Sequence, residues 1–289
     1  MSRPTDPEAV GDEGRGGTGQ VADGGVAPET PDRLMPGGTA DSAGTPWAGR
    51  SFESNAHAQD DGSAPPHLVA AIARFRAGDG GPVDVVQAFA TSRLLIPLLA
   101  ELGDGGTEIG EHGLAVEKSQ ELSIVTVQGP DGRPVLPVFS SVDAMRRWNP
   151  NARPVPADGV RVALAAADDG TDHVVLDPGS ETEFGLRRGA VWAVAQSHEW
   201  RPAAESETVR EAFAGSIATE LAVLGVDLVD GDPDVRLLGP ELVVVLELVS
   251  GLERAELDAV LARLAQRWAA DDVIATGVDS LKVRLRAAS

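Results

Sequence analysis

The sequence predicts an α+β protein: a mixed-sheet (mixed α/β) domain, then a smaller α-β-β-α-β module, with a disordered tail ahead of both. Three observations carry this. Apolar residues recur at helical spacing in some segments and in short β-branched runs in others, and the two kinds alternate along the chain. The pattern lapses at Arg201-Pro202 and resumes beyond Ser206, which separates two folded parts. Residues 1–66 show neither period; they hold 12 of the 33 Gly and 8 of the 20 Pro, with 11 acidic against 4 basic side chains. Such a stretch buries too little apolar surface to offset about 1–2 kcal/mol of ordering entropy per backbone residue.

The expected layout is therefore a disordered acidic Gly/Pro-rich tail over 1–45, a docking strap or linker over 46–66, a first domain over 67–200 and a C-terminal module over 207–289. The segment Trp47-Ala-Gly-Arg-Ser-Phe52 makes 46–66 more than a spacer, because large apolar residues find burial. Leu68, Ile72 and Phe75 mark a first helix after Pro65-Pro66. Val83, Val86 and Phe89 mark a second, opened by Gly80-Gly81-Pro82. Leu94 to Leu99 reads as a buried strand whose Pro97 needs an edge or a bulge, and 102–117 as an exposed loop. The runs 121–127 and 133–139 flank Gly129-Pro-Asp-Gly132, a hairpin signature. Ser141 and Asp143 suit the start of a helix that stops at Asn149-Pro150.

A Pro-rich connector then leads to a helix over 157–167, a strand His173–Leu176, the turn Asp177-Pro-Gly-Ser180, and a helix over 188–196 with Val191, Trp192 and Ala195 facing inward. In the module, Val209, Phe213, Ile217, Leu221 and Leu224 predict one helix ended by Gly225. Val226–Val229 and Leu242–Val249 read as strands, Leu257 to Trp268 as a second helix, and Leu281–Arg286 as a strand with one wet face.

Composition excludes several function classes. A net charge of −21 is the wrong sign for a nucleic-acid surface or an anionic membrane. With no cysteine there is no disulfide frame, thiolate nucleophile or Cys-ligated metal. The longest apolar runs fall short of the ~18 residues of a membrane helix, and the first residues lack a signal-peptide core. A cytoplasmic protein is expected.

The candidate chemistry is sparse. Glu108, Glu111 and His112 lack a metal-ligand spacing and read as a solvated acidic loop. Gly14 to Gly19 follows no strand, and no phosphate-loop pattern occurs, so no cofactor is expected. Ser140 and Ser141 stand between a strand and a helix, but without the glycines of a nucleophile elbow. His173 and His198 are coupled to neither serine by any motif. Lys118, one of two lysines against 22 arginines, is an alternative reactive candidate just before a strand. The turn Asp177-Pro-Gly179-Ser180 together with Arg187 and Arg188 is the candidate binding element. Backbone N–H groups at a strand's C-terminal end and two fixed cations suit a carboxylate or phosphate. On this reading Ser140, Ser141, Asp177, Gly179, Ser180, Arg187 and Arg188 line one concavity. Exchanging both arginines for alanine would then weaken ligand binding and barely alter folding.

Lys118-Ser-Gln-Glu-Leu-Ser-Ile-Val-Thr-Val127, Val135-Leu-Pro-Val-Phe-Ser-Ser141 and Val174-Val-Leu-Asp-Pro-Gly-Ser180 resemble the N-terminal domain of SseB-type (enhanced serine sensitivity) proteins. The resemblance covers about residues 65–200, with Asp177 where the enterobacterial pattern has Asn. The Arg-rich, Lys-poor composition resembles actinobacterial members. The resemblance implies a cytosolic protein without assigned enzymatic activity. The resulting expectation is a non-catalytic binding or regulatory module for a protein partner or a small anionic metabolite, with Trp148 or Trp192 beside the arginines as the interface. The alternative is an enzyme acting on an amino-acid-derived substrate through Ser140 or Lys118, helped by Asp177.

Overall fold

The computed structural model describes residues 60–100, 108–109, 115–116 and 122–288, all within one compact unit that spans Ala56–Ser289. The Trp47–Phe52 segment and Lys118 lie outside the described residues, as do the side chains of Glu108, Glu111 and His112.

The first helix, α1 (Pro66–Ala77), begins on a proline whose missing N–H is no loss at that position. It ends where Gly78 takes φ +77° and returns its N–H to Arg74 and Phe75 carbonyls. In α2 (Pro82–Ala90), Asp84 reaches back to accept the Gly81 N–H at 3.1 Å. Strand β1 (Arg93–Ala100) lies between β7 (Arg153–Asp158) and β4 (Leu122–Ile124), antiparallel to both. The predicted Pro-rich connector is thus a six-residue strand. Its prolines are tolerated through register: Pro156 faces Leu95 and Pro154 faces Pro97. Leu95 exchanges both backbone bonds with Phe139 on the other side, so the odd-numbered residues of β1 point their N–H groups away from β7. Pro154, Pro156 and Pro97 therefore sit where the β1–β7 ladder needs no N–H.

A short ladder of β2 (Glu108–Ile109) and β3 (Ala115–Val116) stands where a loop is expected. The hairpin around Gly132 (φ +81°) exists, but β5 (Val127–Gln128) alone pairs with β6 (Pro134–Val138), while β4 turns to β1. Next come α3 (Val142–Trp148), α4 (Gly159–Asp168), β8 (His173–Leu176), β9 (Phe184–Leu186), which the sequence reading omits, and α5 (Arg188–Ala195). The second sheet runs β5-β6-β8-β9, with β6 and β8 parallel and β9 antiparallel to β8. The first residue of α4 is glycine because a Cβ at Gly159 would stand 2.1 Å from the Phe89 carbonyl oxygen. Only glycine permits that approach. Leu68, Ile72, Phe89, Val162, Leu176, Phe184 and Val191 share the main core.

The C-terminal module comprises α6 (Glu207–Ile217), β10 (Val223–Asp230), β11 (Leu242–Leu248), α7 (Arg254–Ala270), α8 (Asp272–Gly277), also absent from the sequence reading, and β12 (Leu281–Ala287). Its sheet is β10-β11-β12, with β11 antiparallel to β10 and parallel to β12. The predicted helix to Leu224 stops at Ile217. Residues 223–230 instead pair along β11 and lay Val223, Val226 and Leu228 on the second core, and Leu221, 93% exposed, is not a core residue. Gly225 lies at a register shift in β10 rather than at a helix end. Glu220, buried between the two segments, takes Arg263 at 2.7 Å and Arg267 at 2.8 Å. Phe213 meets Trp268 edge-on at 5.3 Å in this second core.

Candidate functional site

The carboxyl ends of the parallel pair β6 and β8 carry the predicted turn. Asp177 is buried at φ +47°, a conformation aspartate adopts more readily than most residues. Its own N–H donates to the Val138 carbonyl at 2.8 Å. Its carboxylate accepts the Ser140 N–H at 2.8 Å, the Ser140 hydroxyl at 2.6 Å and the Thr182 hydroxyl at 2.8 Å. Ser141 caps α3 by accepting the Ala144 N–H at 3.1 Å. The Ser180 hydroxyl lies 2.9 Å from that of Thr182, and Gly179, at φ +76°, donates its N–H to Glu183. Ser140, Ser141, Asp177, Gly179 and Ser180 do come together, beside an open groove of about 700 Å³ walled by Arg147 and Trp148. The arrangement is a knot that ties the turn to β6 and α3, with the buried Asp177 side chain at its centre.

Arg187 and Arg188 are not part of that concavity. Strand β9 runs back along β8, pairing Leu186 with Val174, so both arginines emerge at the opposite end of the sheet. There they meet the C-terminal module. Arg187 is buried, donating to Asp232 at 2.6 Å, the Gly239 carbonyl at 2.7 Å and Asp279 at 3.3 Å. Arg188 donates to the carbonyls of Ala275 (2.8 Å) and Val278 (2.9 Å). Asp279 also receives Arg133 through both guanidinium nitrogens, at 3.0 and 2.9 Å, and lies 3.1 Å from His173 Nε2. Burial by itself would raise the Asp279 carboxyl, but the hydrogen bonds from His173 and Arg133 hold it far below the usual carboxylate range. The same bond to Asp279 raises Arg133. Glu241, which accepts the Asp279 N–H at 2.6 Å, is pushed up by burial and by the Asp279 charge. The Nδ1 of the fully buried His173 has no hydrogen-bond partner among the described residues. Sequence reasoning missed Arg133, Asp232, Glu241 and Asp279, since no spacing links residues so far apart in the chain. The only local hint is the adjacent pair Arg187-Arg188.

The loop after β10 completes this seam: Val235 accepts the Gly185 N–H at 2.7 Å, and Leu237 packs on Val135 and Val175. Beside the seam runs a groove of about 760 Å³ between α5 and the C-terminal module, walled by Arg188, Trp192, Trp200, Arg201, Val209 and Val273. Trp192 is 53% exposed, not inward as its helical position suggests. Ala190, Val191 and Val194 form the buried face of α5 and turn the indole into the groove.

Among the described residues no histidine contacts the Ser140 hydroxyl, which donates to the Asp177 carboxylate at 2.6 Å. The one Ser–His contact among the described residues is Ser92 Oγ with His67 Nε2 at 3.0 Å, where the serine is buried and donates to the Ala88 carbonyl. Among the described residues no three His, Asp or Glu side chains are grouped to hold a metal ion, and no helix is long and apolar enough to cross a membrane. No curated protein and no solved structure matches the chain. Residues 68–193, from the first turn of α1 to the middle of α5, match the family model of the SseB protein N-terminal domain. That match agrees with the motifs at β6 and at the Asp177 turn, and this part of the chain is similar to an SseB N-terminal domain.

Proposed function

We propose that this protein is a non-catalytic binding module that holds an apolar, acid-flanked segment of a partner protein in the groove between α5 and the C-terminal module. The observation that carries the reading is Trp192: a large aromatic side chain, half in solvent, on a helix whose other face is locked in the core. Tryptophan and arginine dominate binding energy at protein interfaces, and Arg201 stands in the same groove. The SseB domain match supports the family setting alone. The predicted anchors of a small anion, Arg187 and Arg188, already bond to the C-terminal module, which favours the protein partner over the metabolite.

The test compares wild type with Trp192→Ala in affinity capture from the native host, with melting curves of both. The expected result is a stoichiometric partner held by wild type and lost by the variant, at nearly equal melting temperature, because exposed positions contribute within about 0.5 kcal/mol. Equal capture by both proteins would refute the groove as the binding site.

A further inference from the structure

A second surface, independent of that groove, lies on the far side of the C-terminal module. Strand β12 is an edge strand. The Leu242 N–H donates to the Ser280 carbonyl, and the Ala288 N–H donates to the Leu248 carbonyl. In a parallel ladder these two bonds fix the phase: residues 280, 282, 284, 286 and 288 turn their backbone groups toward β11. Leu281, Val283, Leu285 and Ala287 therefore aim their N–H and C=O groups away from the sheet. Among the described residues, no bond to these groups occurs. Such a row is a template for one more strand.

The side chains say which strand it would take. Lys282, Arg284 and Arg286 share the sheet face away from the helices, a row of three cations on a chain of net charge −21. Arg286 reaches Asp227 at 3.0 Å and Glu247 at 2.8 Å, whereas Lys282 and Arg284 have no carboxylate in ion-pair reach among the described residues. On the opposite face, Leu281 and Leu285 remain 36% and 42% exposed at the sheet's rim. A second copy of the chain fits poorly. Antiparallel pairing of β12 with itself about Val283 sets Lys282 against Arg284, and about Arg284 sets Lys282 against Arg286. Either register opposes like charges.

We propose that the free edge of β12 accepts, as a fourth strand, an extended segment of a partner protein in which acidic and apolar residues alternate. The acidic side chains would meet Lys282 and Arg284, and the apolar ones would cover Leu281 and Leu285. The main-chain bonds would come from residues 281, 283, 285 and 287.

The test is amide hydrogen exchange by NMR on the full chain, with a short capped peptide in which glutamate and valine alternate. In the free protein, the amides of Lys282, Arg284 and Arg286 should be protected by β11, and those of Leu281, Val283, Leu285 and Ala287 open. The peptide should slow the second set by about tenfold or more at saturation, and added salt should weaken it. A peptide alternating lysine and valine should leave the set open. Leu285→Pro removes an outward N–H and no ladder bond, so it should abolish peptide binding while 282 and 284 stay protected. Should that variant lose the ladder, Arg284→Glu decides, with a weakening of at least about fivefold expected. Protection of the outward amides in the free protein, equal response to both peptides, absence of any response, or unchanged binding by Arg284→Glu would each overturn the proposal.

Discussion

Replacing Arg187 with alanine is the sharpest test of how the two modules are joined. The side chain is buried, and it donates to Asp232, Asp279 and the Gly239 carbonyl. Its removal leaves Asp232 with only the Leu237 and Arg236 N–H groups. Asp279 keeps Arg133 and His173. Removing one partner from a buried ion pair costs about 3–5 kcal/mol. Because one of the two carboxylates stays well matched, about 3 kcal/mol is expected, a large share of the roughly 5–15 kcal/mol that holds a typical domain. Urea unfolding reads this directly: at a slope of about 3 kcal/mol/M the midpoint should fall by about 1 M. A double-mutant cycle with Asp232→Ala should return a coupling above about 1 kcal/mol. A midpoint that moves by less than the equivalent of about 0.5 kcal/mol would refute the account, and would return Arg187 to the role of a surface anchor.

Two further outcomes follow from the same geometry. Asp177→Ala removes three hydrogen bonds to a buried carboxylate and leaves a β-carbon at φ +47°; thermal melts should show a loss of about 2–4 kcal/mol, with Asp177→Asn milder because asparagine tolerates that conformation. Burial holds the Glu241 carboxyl above its ordinary value, so ionising it costs folded-state stability once pH rises above the unfolded value, about 4.3, and in full above the folded one. Glu241→Gln keeps an oxygen for the Asp279 N–H and should raise the melting temperature at pH 7, the gain vanishing as pH falls below about 4. A gain that persists at pH 3.5 would contradict the stated cause.

Much of the first domain is legible along the chain because its signals are local. Proline at the start of α1, Ser141 ahead of α3 and the Gly132 turn each act within a few residues. The periodicities of α7, β11 and β12 likewise survive folding. By contrast, β7 is a strand only because β1 offers a register in which its prolines owe no hydrogen bond. The stripe Val209–Leu224 breaks at Ile217 because pairing with β11 outweighs continued helix, a competition no window of sequence contains. Trp192 occupies an inward helical position by period, yet the groove beside α5 leaves it in solvent.

The candidate site divides in the same way. That Ser140, Ser141, Asp177, Gly179 and Ser180 converge follows from a strand–helix and a strand–turn junction, which residue order by itself implies. That Arg187 and Arg188 face away from them was decided by the antiparallel return of β9. Their partners come from residues 45 to 93 positions further along the chain. Charge pairs of that separation have no sequence period, since only the packing of one module on the other brings them within reach.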